Sequence, residues 1–248
     1  TALDRGATIL TGNHRAARTL RRAFDLRNRQ AGLKSWESPK IFAWDTWTTT
    51  LWRRLLVDGH TSRLLMNRTQ EHSIWLDILA ADTELRSLHS KDALAALAAD
   101  AWRRLCSYRG QGRLRGAASS TDTMAFERWA IEFHRRCRDL NLLPLAELED
   151  ALSSAIQSGH LRPILTDITI QGFDRLTPAQ TSLLDALRSD GCTLSELDHP
   201  LPAKRRLLVK AEDEEVEISI AARWARQFLM QHTEARIAII LPALEEHR

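Results

Sequence analysis

Short apolar runs rich in β-branched residues recur along this chain, and most of them lead into a longer segment with apolar residues at helical spacing. The runs at 7–10, 168–171 and 236–241 are each bounded by turn or polar residues, as parallel strands covered on both faces would be. Residues 40–43, 192–196 and 206–210 are further candidate strands. Helical patterns occupy 16–30, 45–57, 178–188 and 214–230. Strand followed by helix, repeated, predicts an α/β layer fold with a parallel sheet and crossover connections.

Between residues 62 and 160 the pattern changes. "TQEHSIWLDILA", "KDALAALAADAWRRLCSY", "TMAFERWAIEFHRRCRDL" and "PLAELEDALSSAI" all repeat apolar residues at helical spacing, with no convincing strand among them. The α/β domain, residues 1–61 and 161–210, is therefore expected to be interrupted by an all-helical insertion, residues 62–160. The Gly-, Ser- and Arg-rich stretch from Arg109 to Asp122 is expected to be a mobile loop.

With 248 residues, 44% of them hydrophobic and 27% charged, the chain can bury a sizeable core. No apolar stretch reaches the roughly eighteen residues of a membrane span, and the N-terminus lacks signal-peptide layout, so the chain reads as cytoplasmic. Cys106, Cys137 and Cys192 are widely separated, which suits buried free thiols better than disulfides or a zinc site. The net charge of +3 is unevenly spread: residues 1–30 hold Arg5, Arg15, Arg18, Arg21, Arg22, Arg27 and Arg29 against Asp4 and Asp25. That excess suits a polyanion partner; a merely solvated basic helix face is the other reading.

The stretch "TGNHRAART", residues 11–19, stands where a nucleotide-binding protein places its phosphate loop. A G-x-x-x-x-G-K-[ST] loop needs glycines that let backbone amides curl round phosphate, a lysine for the terminal phosphates and a hydroxyl for magnesium. Laid over that pattern, Gly12 and Thr19 survive, while Ala17 replaces the second glycine and Arg18 the lysine. The second carboxylate motif shows a parallel loss. "ITIQGFDRLTPAQTSLLDAL" keeps the apolar frame (Ile168, Ile170, Phe173, Leu183, Leu184) and the distal Gln180 of a superfamily-one helicase magnesium motif, but Gln171 and Gly172 occupy the acidic pair, followed by Asp174. An amide and a bare backbone cannot hold a divalent cation or activate water.

These stretches together resemble the helicase-inactivated half of bacterial helicase-nuclease repair proteins, of the AddB type and related DNA repair proteins. "ILTGNHRAARTLRRAF" looks like that family's decayed first motif, "SPKIFAWDTWTTTLWRRLL" like the strand and helix after it, and "IQGFDRLTPAQTSLLDAL" like the decayed second motif. "EDEEVEISIAARWARQFL" followed by "RIAIILP" resembles the entry into a second helicase-like domain, residues 211–248. The resemblance implies a parallel-sheet, P-loop-helicase-like (RecA-like) domain and a DNA repair role. It also implies a PD-(D/E)XK nuclease centre beyond Arg248, so that the full-length protein would be an exonuclease. It places a single-stranded DNA groove near Trp44 and Trp47.

Arginine and tryptophan recur together at Trp52-Arg53-Arg54, Trp102-Arg103-Arg104, Arg128-Trp129 and Arg223-Trp224. Bases could stack on such indoles beside phosphate-binding guanidinium groups; amphipathic helices with Trp inside and Arg outside explain the pattern more simply. His134 and Cys137 lie one helical turn apart without an orienting group and read as helix surface, Asp198-His199 as loop, and 212–215 as acidic residues favouring a helix N-terminus. The functional expectation is a non-catalytic, cofactor-free scaffold gripping single-stranded or forked DNA through Arg15, Arg18, Arg21, Arg22, Trp44 and Trp47, with a helicase motor subunit as a possible partner. The alternatives are an ATP-dependent helicase motor in which Arg18 stands in for lysine, and a protein-interaction module that does not bind DNA.

Overall fold

The computed structural model describes residues 6–83, 90–114, 116, 120–161, 167–197 and 206–241. The chain divides into two compact units, Thr1–Asp198 and His199–Arg248.

In the first unit, four strands form one all-parallel sheet in the order β2-β1-β5-β6, with β1 at Thr8–Thr11, β2 at Ile41–Ala43, β5 at Asp167–Gln171 and β6 at Thr193–Glu196. Their shortness is compensated by burial: all four residues of β1 and the centre of β5 are out of solvent. Alternation across the pleat sends Leu10, Ile168 and Ile170 to one face, where they pack with residues of α2 (Trp44–Val57), α7 (Leu148–Gln157) and α8 (Pro178–Ser189). Ile9, Ile41 and Ala43 join Ala17 and Leu20 of α1 (His14–Gln30) in a smaller cluster on the other face. The α/β reading with a parallel sheet therefore holds.

Helix starts are written in the sequence. The side chain of Asn13 caps α1, and Thr177, Pro178 and Gln180 form a capping box with proline in the first turn of α8. In α9 (Glu214–Gln231), Asp213 accepts from Val216 N at 2.8 Å, so the acidic run at 212–215 does serve a helix start.

The insertion differs from expectation in three ways. It contains a small parallel pair, β3 (Leu64–Leu65) with β4 (Leu142–Leu143), which staples its entrance to its exit; two-residue strands leave no periodicity to read. Its last helix, α7, belongs to the sheet layer, since Leu148, Leu152 and Ile156 lie in the same core as Leu10 and Ile168. Part of the loop expected at 109–122 is a short helix, α5 (Gln111–Leu114). The remaining helices, α3 (Arg68–Ala81), α4 (Lys91–Ser107) and α6 (Thr121–Asp139), enclose a core of their own in which the rings of Trp75 and Phe133 stack at 4.2 Å and 8°.

In the second unit, residues 206–210 and 236–241 form no strand, contrary to expectation: both are irregular, and Leu208 and Ile240 are almost fully exposed. A strand needs a neighbour to satisfy its backbone, and among the described residues neither has one. Asp198-His199 lies outside the described residues.

Candidate nucleic-acid interface

Strand order fixes where a ligand would be sought. With β2 on one side of β1 and β5 on the other, the connections diverge at β1/β5, and in open α/β sheets the crevice beyond the carboxyl ends of such strands is the usual binding place. Here that point is tightly closed. A Cβ added to Gly12 would meet the Gly172 carbonyl oxygen at 2.9 Å and the Phe173 ring at 3.7 Å. Phe173 in turn stands edge-on to Trp44, with ring centroids 5.9 Å apart at 82°.

The first motif makes a short turn. Only Gly12 and Asn13 separate β1 from α1. The Thr11 hydroxyl donates to Asn13 O at 3.0 Å, and the Ala16 and Ala17 amides donate to Asn13 Oδ1 and O at 2.9 and 3.2 Å. Amides that would have to curl round a phosphate are thus engaged in the first helical turn. Ala17 is buried there, while Arg18 and Thr19 are exposed one step further along α1.

The second motif ends β5 beside it, with Gln171 in register with Thr11. The Gln171 side-chain oxygen is buried without a hydrogen-bond partner among the described residues. Gly172 has φ +70°, a left-handed conformation that an acidic residue adopts only at a cost. Asp174 is exposed, and Gln180 is occupied in the α8 capping box, its Oε1 accepting from Thr177 N at 2.9 Å.

The candidate DNA residues separate into two groups. Arg15, Arg18 and Arg22 are exposed and succeed one another along one face of α1. Arg21 is exposed as well but already engaged: its guanidinium donates to the Ile41 backbone oxygen through Nε (3.0 Å) and Nη2 and lies over the Phe42 ring, tying α1 to β2. Trp44 and Trp47 must be removed as stacking platforms. They are 6% and 4% exposed and pack on each other at 5.5 Å, so neither presents an open indole face for stacking, although Trp44 borders a neighbouring cleft. Trp52, Trp102 and Trp129 are likewise buried, in keeping with the simpler reading of the Trp-Arg pairs; Trp224, 52% exposed, is the exception.

Beside this edge, a cleft of about 540 Å³ opens between the sheet layer and the helical insertion. Arg53 of α2, Arg68 of α3 and Arg103 of α4 line it, with hydroxyls from Thr46, Thr49 and Thr50, and His14 stands at the start of α1. The first turn of α2 also lines it. Ala43, at the N-cap of α2, supplies no side-chain bond, and Asp45 accepts from Thr46 N at 2.7 Å and pairs with His14 Nε2 at 2.8 Å. Two carboxyls complete the lining: Glu71 of α3, and Glu149 of α7, which accepts from Trp44 Nε1 at 3.1 Å. Burial pushes both above the ordinary carboxylate pKa of 4.5, against the lowering pull of Arg103 on Glu71 and of Trp44 on Glu149. Sequence reasoning singled out Arg53 and Arg103 only as members of Trp-Arg pairs and passed over Arg68, Glu71 and Glu149. Their convergence from four helices leaves no local spacing to detect.

No nucleophilic centre competes with this cleft among the described residues. Cys106, Cys137 and Cys192 are all buried and free, and burial pushes the Cys137 thiol up to about 12. The face carrying His134 and Cys137 is therefore not plain surface as expected, for Cys137 lies in the core while His134 pairs with Glu147 at 3.5 Å. Among the described residues no group of three His, Cys, Asp or Glu side chains could hold a metal ion, and no helix is long and apolar enough to cross a membrane. No family model matches the chain, and no curated protein is significantly similar to it.

Proposed function

We propose that this chain is a non-catalytic nucleic-acid-binding scaffold, a helicase-like (RecA-like) α/β domain that holds single-stranded or forked DNA for a repair nuclease or motor. The reading rests first on the resemblance of its two decayed motifs to helicase-inactivated repair subunits. The observation that supports it is the coincidence of closed turn and arginine-lined cleft at one end of the sheet: Gly12, Gly172 and Phe173 close the crevice at β1/β5, while Arg53, Arg68 and Arg103, interleaved with Asp45, Glu71 and Glu149, line the cleft beside it. Arg15, Arg18 and Arg22 extend basic surface along α1. Guanidinium groups grip phosphates of any sequence, and the released counterions make such binding strongly salt-dependent.

Fluorescence anisotropy with a labelled single-stranded oligonucleotide at two salt concentrations tests the proposal. Binding in the micromolar range that weakens steeply with salt is expected. No binding at low salt would overturn it in favour of a protein-interaction module.

A further inference from the structure

We infer that the cleft is a phosphate-backbone site gated by two acids, with Arg53, Arg68 and Arg103 attracting the strand and the charge state of Glu71 and Glu149 setting how tightly it is held. The inference rests on the DNA-binding reading and adds its residues and its regulation.

The cleft gathers charge from every element that lines it. Arg53 comes from α2, Arg68 from α3 and Arg103 from α4, where Arg103 also pairs with Asp100 at 2.8 Å. Asp45 and His14 are bonded to each other at 2.8 Å. Against the arginines stand Glu71 and Glu149, with Glu147 acting on Glu71 and Asp150 on Glu149 as further negative neighbours. With both acids ionised, Asp45, Glu71 and Glu149 match the three arginines, and Asp100 holds Arg103 besides. With Glu71 and Glu149 neutral, the balance turns positive toward an incoming phosphate, and each carboxylic O–H adds a donor. Both carboxyls are held above 4.5 by burial, so the change occurs in milder acid than an exposed glutamate needs.

The test is anisotropy with the same labelled single strand, using the 248-residue chain at about pH 7.5 and about pH 4.5, where a carboxyl raised above its ordinary value is mostly neutral; the window also spans histidine titration. Binding is expected to be about tenfold tighter at the lower pH, given the closeness of two unit charges to the bound phosphates. The double variant Glu71→Gln/Glu149→Gln is expected to bind at the higher pH as the parent does at the lower, and to lose the pH response. His14→Gln is expected to keep the response; if it abolishes the response instead, the acids are not the gate. A parent whose binding ignores pH, or a double variant that still responds, overturns the gate and leaves DNA binding standing. Absence of binding at both pH values and low salt overturns the DNA reading itself. Should the double variant fold poorly, the single variants Glu71→Gln and Glu149→Gln decide: each is expected to keep only part of the response, and two singles that both respond in full overturn the gate.

Discussion

The carbonyl oxygen of Gly172 lies 2.9 Å from the point where a Cβ on Gly12 would stand, so the two turns that end β1 and β5 touch backbone to backbone. Only glycine permits that approach, and the contact joins the turn that leads into α1 to the turn that ends β5. Gly12→Ala is expected to force the turns apart and lower stability by about 2–3 kcal/mol. Gly172→Ala meets no neighbour within 4 Å but inherits φ +70°, and is expected to cost about 1–2 kcal/mol. Urea unfolding of both variants checks the order; equal, negligible losses would contradict the contact.

Arg21 and its neighbours on α1 should separate stability from binding. Arg21→Ala removes guanidinium bonds to the Ile41 carbonyl and is expected to lower stability by about 1–2 kcal/mol. The triple variant Arg15→Ala/Arg18→Ala/Arg22→Ala is expected to melt like the parent. If these side chains contact phosphates, its log–log salt slope for single-stranded DNA falls by about 0.7 for each arginine lost. A triple variant with unchanged slope would remove α1 from the interface.

Nucleotide turnover is expected to be absent with or without DNA. Arg18 sits within α1 past a two-residue turn, and the Ala16 and Ala17 amides are already bonded to Asn13. A coupled ATPase assay checks this. Robust DNA-stimulated hydrolysis abolished by Arg18→Ala would establish the motor alternative.

Acid should act on stability in two opposite senses. Glu71 and Glu149 have raised folded-state pKa values, so their protonation favours the folded chain, and their contribution is full below 4.5 and lost as pH rises through the raised values. Glu132 behaves oppositely: hydrogen bonds from Arg135 and Arg136 hold it at about 2, so its contribution is present above 4.5 and fades as pH falls toward 2. Both pairs are partly open to solvent, and screening limits their worth to less than about 1 kcal/mol. Melting temperature should therefore rise on mild acidification above pH 4.5, and Glu71→Gln/Glu149→Gln should flatten the rise. A parent that only loses stability over that range would refute the assignment.

Stacking in the insertion core gives a purely structural expectation. Trp75 is fully buried with its ring 4.2 Å from that of Phe133. Trp75→Ala is expected to cost about 3–5 kcal/mol, read by chemical denaturation. A loss below about 1 kcal/mol would mean that the insertion does not pack as described.

What the sequence by itself determined was local: the short β-branched apolar runs that become β1 and β5, the acidic run at 212–215 whose Asp213 starts α9, and the presence of Arg18, Gln171 and Gly172 where a working phosphate loop and metal motif would need lysine and an acidic pair. Each depends on neighbours a few residues away, so period and residue type suffice to read it. Tertiary structure alone decided that Trp44 and Trp47 face inward, that Arg21 serves the β2 backbone, that α7 joins the sheet layer, and that residues 236–241 are not a strand. It alone brought Arg53, Arg68 and Arg103 together with Glu71 and Glu149. An indole in an amphipathic helix looks the same in sequence whether it meets a base or a core, and a strand exists only where another backbone completes its hydrogen bonds. A cleft assembled from separate helices is set by packing between segments distant in the chain, which no local pattern encodes.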